Sequence, residues 1–334
     1  MSAPYPWQSK QWAELVGVAD GGHLGHALLF SGRAGMGLED FALSFANRML
    51  CEAPLAAARP CGSCRGCRLY GAGTHPDFKR LEPAEDGKAI LIDQARELTS
   101  FYSLKAHYEC GKIVLISPAE AMNRAAANAI LKILEEPPAG ALLLLVAHRF
   151  GAIPMTIRSR CIRVPCEQID RVEATRWLAS QLPTLDAAAL RRLLAQTGGS
   201  PLAAKTLAAS DLGGVEIEVL ESLADIRQGR THTLVLARKY AALPIQDLLR
   251  TLNSMTVRLI LAKFGRQPFY EDAGDALDPR LQGIADHLNL KHLYGFSDLL
   301  FESGALLARQ SGVRDADIAE SLWLALADAI DGGS

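Results

Sequence analysis

Ala27-Leu28-Leu29-Phe30-Ser31-Gly32-Arg33-Ala34-Gly35-Met36-Gly37-Leu38-Glu39 runs from a buried-strand signal through a glycine-rich loop into the start of a helix. That is the layout of a phosphate-binding loop, Gly-x-x-x-x-Gly-Lys-Ser/Thr. In such a loop backbone N–H groups cradle phosphates, the lysine reaches the β and γ phosphates, and the hydroxyl holds magnesium. Gly32 and Gly37 stand at the required spacing with Gly35 between them, but the lysine and hydroxyl positions hold Leu38 and Glu39. Leu38 brings no positive charge. Glu39 sets a carboxylate near phosphate oxygens, a repulsion of about 1–4 kcal/mol at 4 Å depending on the local dielectric. These residues predict a loop that binds no ATP. Read alone, the same glycines also fit an ordinary strand-to-helix turn, because degenerate glycine patterns are weak signals.

The rest of the chain allows a multi-domain globular protein. Its 334 residues are enough for two or three domains, and 49% hydrophobic with 22% charged residues can bury a real core. Thirty-five basic against 37 acidic side chains leave a net charge of -2, so no overall positive field draws the chain to nucleic acid. The longest apolar run, Ala141 to Ala147, is too short to span a bilayer, and the first ten residues lack a basic-then-apolar leader. The expectation is a soluble, cytoplasmic protein with no membrane partner. Seven cysteines, four of them clustered, point to reduced thiols rather than a secreted disulfide scaffold.

Along the chain, strand and helix signals alternate. After an N-terminal segment rich in Trp and Gln come the strand Ala27 to Phe30 and a helix from Leu38 to about Leu50. Short strands are expected at Asp77 to Leu81 and Ile90 to Ile92, with Asp93 as N-cap of a helix reaching Leu104. Lys112 to Ile116 is a β-branched, apolar run of the kind buried on both faces of a parallel sheet. A helix from about Ala121 ends at Pro137 and Pro138, and strands follow at Leu142 to Val146 and Ile162 to Val164. This order predicts an α/β module of parallel sheet and flanking helices over 1–166. A small helical lid over 167–210 and an all-α domain over 211–334 complete the chain. In the last domain Ile245, Leu248, Leu249, Leu252, Met255, Leu259 and Ile260 mark one helix, a terminal helix spans about Ile318 to Ile330, and Gly265 to Leu277 is the most loop-like stretch.

Three further groups carry chemistry. Cys61, Cys64 and Cys67 form Cys-x2-Cys-x2-Cys, and with Cys51 they offer four thiolates for a tetrahedral, closed and therefore structural zinc site. An iron–sulfur cluster would ask for a further Cys-Pro where Gly71 stands, and free cysteines are the remaining reading. The strand Lys112 to Ile116 ends at Ser117, where a magnesium-binding aspartate is due in an ATPase, and Glu120 alone does not restore the acidic pair. Glu135 and Glu136, at a helix end before two prolines, read as solvated or packing residues, and His75 before Pro76 as a turn residue.

Taken together, the loop Ser31 to Gly37, the four cysteines, His75-Pro76-Asp77-Phe78, Ala126 to Pro138 and Ile157-Arg158-Ser159-Arg160-Cys161 resemble the delta-prime family of bacterial DNA polymerase III clamp-loader subunits, within the AAA+ superfamily. The resemblance covers about Leu24 to Ser210. It implies a C-shaped chain of AAA+ module, lid and helical collar, assembled with gamma/tau motor subunits and a delta subunit. It also implies no ATPase activity in this chain itself, although the chain works within a DNA polymerase holoenzyme that loads a sliding clamp on primed DNA. Ser159, Arg160 and Cys161 match the family's Ser-Arg-Cys element. Arg160 is then the candidate arginine finger, supplied in trans to a neighbour's ATP, where position alone also allows a surface arginine like Arg158 or Arg163. In ATP-binding relatives an arginine follows the turn matched by Gly199-Ser200-Pro201, but Leu202 stands here, and Pro201 is well placed as a first helical residue. Two rival readings are an atypical ATPase, opposed by Leu38, Glu39, Ser117 and Leu202, and a zinc-containing nucleic-acid-binding protein, opposed by the charge balance.

Overall fold

The computed structural model describes residues 4–53, 59–85, 87–108, 111–166, 169–210, 212–240, 243–265, 279–308 and 314–331. Two compact units divide the chain, Met1–Ala174 and Thr175–Ser334.

The first unit is a five-stranded parallel sheet with helices on both faces. Its elements are α1 (Ser9–Asp20), β1 (Ala27–Ser31), α2 (Leu38–Met49), α3 (Arg65–Gly71), β2 (Phe78–Leu81), α4 (Ile92–Ser103), β3 (Lys112–Ile116), α5 (Arg124–Glu135), β4 (Ala141–Ala147), α6 (Met155–Arg158) and β5 (Ile162–Pro165). The strand order is β2-β3-β4-β1-β5, every pair parallel. β1, β3 and most of β4 are buried on both faces, as their unbroken apolar runs require. Strand β4 separates β1 from β3, so the loop after β1 and the residue after β3 lie at the carboxyl edge where the strand order switches. Open α/β sheets place their ligand sites at that edge.

Local signals were honoured with three exceptions. Ile90 makes only an isolated bridge to Met122 in place of a strand. Asp93 is not the N-cap of α4: Leu91 is, and the Gln94 side chain accepts its N–H at 2.9 Å while donating to the Glu82 carbonyl at 3.0 Å. A glutamine three residues on, tied to the preceding loop, displaced the aspartate, which pairs instead with Arg96 at 3.3 Å. Helix α5 starts at Arg124 rather than at about Ala121, behind the cap Asn123, which accepts from Ala126 N at 2.8 Å.

At the opposite end of β2, Asp77 is fully buried and accepts N–H groups from His107 at 2.8 Å and Tyr108 at 2.8 Å, with the buried Lys112 ammonium at 3.6 Å. Burial pushes its carboxyl up, but those N–H groups and Lys112 outweigh it and hold it below the ordinary value. A depressed carboxyl contributes stability above its unfolded value of about 3.9 and loses it as pH falls through the lower folded value. Asp77→Ala leaves Lys112 buried without this charge partner, so a cost of about 3–5 kcal/mol is expected at neutral pH. Hydrogen exchange of the β3 amides measures it, and unchanged protection would contradict it.

The second unit is helical: α8 (Ala187–Gln196), α9 (Pro201–Ala209), α10 (Leu212–Arg227), α11 (Thr233–Lys239), α12 (Ile245–Lys263), α13 (Pro279–Ala285), α14 (Leu290–Ala308) and α15 (Asp315–Asp331), while α7 (Arg171–Gln181) straddles the division. Along α12, Ile245, Leu248, Leu252, Met255 and Leu259 are buried in one core with Leu293, Leu322 and Trp323, whereas Leu249 and Ile260 lie at its margin. Most of Gly265 to Leu277 falls outside the described residues. Among the described residues, no helix is long and apolar enough to cross a membrane.

Candidate functional site: a degenerate loop, a thiol cluster and an exposed arginine

Gly35 and Gly37 take left-handed backbone conformations, φ 79° and 74°, and Gly37 caps α2 as a phosphate-binding loop requires. Other parts of the chain pack closely against Gly37 and Gly32. A Cβ on Gly37 would stand 2.4 Å from the Tyr5 ring, and one on Gly32 would stand 2.7 Å from the Cys166 carbonyl oxygen. The N-terminal segment also binds the loop through hydrogen bonds. Trp7 Nε1 donates to the Met36 carbonyl at 3.0 Å, Gln8 Nε2 to the carbonyls of Met36 and Gly37 at 2.9 Å each, and the Tyr5 hydroxyl to Asp40 at 2.8 Å.

On the other side of the loop, Leu38 is buried in the core. Glu39 accepts a hydrogen bond from the Ser117 hydroxyl and an ion pair from Arg80, which also reaches Glu82 at 2.8 Å. In a working ATPase the residues at positions 39 and 117 meet through magnesium. Here they bond directly, and the cation paired with Glu39 is the Arg80 guanidinium. Glu120 is used elsewhere: its carboxylate accepts the N–H groups of His148 at 3.0 Å and Arg149 at 3.1 Å, fixing the end of β4.

Restoring the motif letters with Leu38→Lys and Glu39→Thr is therefore expected to leave ATP affinity weaker than micromolar. The segment from Tyr5 to Gln8 still pins the loop through the Met36 and Gly37 carbonyls, and position 117 still lacks a carboxylate to hold magnesium. Micromolar binding in a fluorescent-nucleotide titration of this double variant would show that the two side chains alone close the site.

The four cysteines converge. The sulfurs of Cys51, Cys61, Cys64 and Cys67 all lie within 4.8 Å of one another, with Cys64 and Cys51 at 4.0 Å. A tetrahedral zinc with Zn–S of about 2.3 Å spaces its sulfurs about 3.8 Å apart, so a small contraction completes the shell. Backbone N–H groups already point at the sulfurs: Cys61 N to Cys51 Sγ, Cys64 N to Cys61 Sγ and Cys67 N to Cys64 Sγ, each at 3.3 Å. Hydrogen bonds from Ser63 and Cys64 lower the Cys61 thiol to about 6, while burial and the neighbouring thiols push Cys67 well above its ordinary value. A bound cation would favour the thiolate form that metal ligation needs. His75 is not part of it: the ring is buried, packs on Tyr108 with centroids 4.9 Å apart, and accepts Asp77 N at 3.1 Å.

Arg160 follows α6 and is 37% exposed. Its Nη1 donates to the Thr156 carbonyl at 3.0 Å and the Ser159 hydroxyl at 3.3 Å, and its Nη2 pairs with Glu135 at 2.8 Å. The arginines beside it are differently placed. Arg158 and Arg163 lie over the Phe150 ring, 5.0 and 4.2 Å from its centroid, and Arg163 donates to Ser31 Oγ at 2.8 Å. Close by in sequence, Met155 and Ile162 are 67% and 53% exposed, and burial raises the Cys161 thiol to about 12. The Glu135 contact was not foreseen, nor were α1, α3 and the hold of Tyr5, Trp7 and Gln8 on the loop. Trp12, Leu15 and Val16, buried at helical spacing, were the available signal for α1.

The sheet, its switch-point loop and the helical second unit define an AAA+ type of chain whose phosphate loop is degenerate. A family described as the DNA polymerase III delta subunit matches residues 7–170. DNA polymerase III subunit delta' of Pseudomonas aeruginosa is 40% identical over 245 residues, 73% of this chain and 74% of that one. The Escherichia coli subunit delta' is 33% identical, covering 72% of each chain. The tau/gamma subunit of Haemophilus influenzae is 32% identical over 183 residues, 52% of this chain and 26% of that protein. This chain belongs to the delta-prime family of DNA polymerase III clamp-loader subunits.

Proposed function

We propose that this chain is the non-catalytic stator of a clamp loader: it binds no ATP, and it supplies Arg160 in trans to the ATP of an adjacent gamma/tau motor subunit. With those motors and a delta subunit it assists ATP-driven loading of a sliding clamp onto primed DNA, in the cytoplasm. The observation that carries this reading is the direct Glu39–Ser117 hydrogen bond with Arg80 beside it, which puts protein groups where magnesium and phosphate work in a motor. The exposed guanidinium of Arg160, with exposed Met155 and Ile162 close by in sequence, supports the second half. A zinc held by Cys51, Cys61, Cys64 and Cys67 steadies the module, and residues 1–166, 167–210 and 211–334 act as AAA+ module, lid and assembly collar. The test is DNA-stimulated ATP turnover of the reconstituted complex with the wild-type chain and with Arg160→Ala, at equal assembly. Equal rates would overturn the trans role.

A further inference from the structure

We infer that Glu135 is a positioning residue for Arg160, a counter-anion that parks the guanidinium until a neighbour's triphosphate displaces it. This rests on the trans role of Arg160.

Glu135 is the last residue of α5, and a carboxylate at a helix C-terminus faces the negative end of the macrodipole. Lys132 in the same turn offsets part of that cost, and the ion-pair partner of the carboxylate is Arg160, 25 positions away in sequence and 2.8 Å away in space. The pair is not a buried structural bridge, since the two side chains are 51% and 37% exposed, and exposed pairs are weak and exchangeable.

The three contacts of the guanidinium divide by charge. Nη1 rests on two neutral acceptors, the Thr156 carbonyl and the Ser159 hydroxyl, which can persist while the group works. Nη2 rests on the one anion. While that pair stands, the positive charge of Arg160 is offset and its field at an incoming phosphate is small. A γ-phosphate carries more charge and more acceptor oxygens than a carboxylate, so it wins the exchange when the subunits close. Glu135 then sets a threshold for engagement, and Ser159 and Thr156 keep the guanidinium aimed through the swap.

Glu135→Gln keeps the shape and an acceptor oxygen but removes the charge. In the reconstituted complex we expect ATP turnover without DNA to rise about two- to fivefold, the range of an exposed ion pair, with a lower KM for ATP. The DNA-stimulated kcat should change less, so the stimulation ratio narrows. In the Arg160→Ala background the same substitution should change nothing. If Arg160→Ala alone is without effect, the trans reading fails. If Arg160→Ala lowers turnover but Glu135→Gln leaves basal turnover and KM unchanged or lowers basal turnover, the parking role is overturned and the finger stands. A rise that survives in the double variant also overturns it, because the effect then bypasses Arg160. Thermal melting of the isolated Glu135→Gln chain should match wild type, which separates the outcome from misfolding.

Discussion

If Arg160 acts in trans as proposed, ATP turnover by a complex carrying Arg160→Ala is expected to collapse at the adjacent motor site, while assembly and the stability of the chain stay as they were. A guanidinium supplied in trans stabilises charge spreading over the transferring phosphoryl group, and in GTPases it is worth about 10³ to 10⁵ in rate. Even the lower figure is about 4 kcal/mol of transition-state stabilisation, far above the 0–1 kcal/mol that an exposed ion pair such as Arg160–Glu135 gives the fold. The two effects are therefore separable: a kinetic loss without a shift in melting temperature marks a finger, and the reverse marks a structural arginine. Arg160→Lys should recover little, because an ammonium lacks the planar fork that meets two phosphate oxygens while holding Thr156 and Ser159. Motor sites not bordered by this chain keep their own chemistry, so DNA-stimulated turnover should settle at what they sustain. Single-turnover measurements would then show a missing fast phase, and a complete fast phase would refute the assignment.

How much of this was legible beforehand depended on range. The runs Lys112 to Ile116 and Leu142 to Val146 announced central parallel strands because burial on both faces leaves no room for polar alternation. The departure from the phosphate-loop pattern was equally plain, since positions 38 and 39 hold Leu38 and Glu39 where a lysine and a hydroxyl are due. What replaced them was not. Glu39, Arg80 and Ser117 come from α2, β2 and the end of β3, and only the strand order brings them together. The same holds for Glu135, which reads as a solvated helix end until α6 is folded beside α5. Asp93 misled for a local reason: two side chains competed for one helix end, and Gln94, anchored to the Glu82 carbonyl, took it. The glycines of the loop are a further case. Gly32 and Gly37 suggested a phosphate cradle, and the structure gives the same glycines a packing role, with the Cys166 carbonyl close against Gly32 and the Tyr5 ring against Gly37.

Removing one thiolate from the cysteine cluster should abolish tight binding of one zinc per chain and loosen the insertion without unfolding the sheet. Cys64→Ser isolates the metal from the local backbone. Cys64 caps α3 by accepting Cys67 N at 3.3 Å, and a serine oxygen can take the same hydrogen bond, whereas it does not replace a thiolate on zinc. Structural zinc contributes about 10–16 kcal/mol in zinc-finger peptides that have little other core. Here the insertion is also anchored by protein contacts. Tyr70 of α3 donates to the Leu43 carbonyl at 2.9 Å, packs on Phe78 at 4.8 Å, and is largely buried. The loss is thus expected to stay local: amides of 61–67 exchange freely, those of β3 keep their protection, and the complex still shows DNA-stimulated turnover. Metal analysis of the wild-type chain should find one zinc and no iron, and visible absorption from a cluster would place iron there instead. Retention of a full equivalent of zinc by Cys64→Ser would remove that thiol from the ligand set. Global loss of protection, or failure to assemble, would show that the metal supports the whole module, because the anchors at Tyr70 would then be too weak to hold α3 alone.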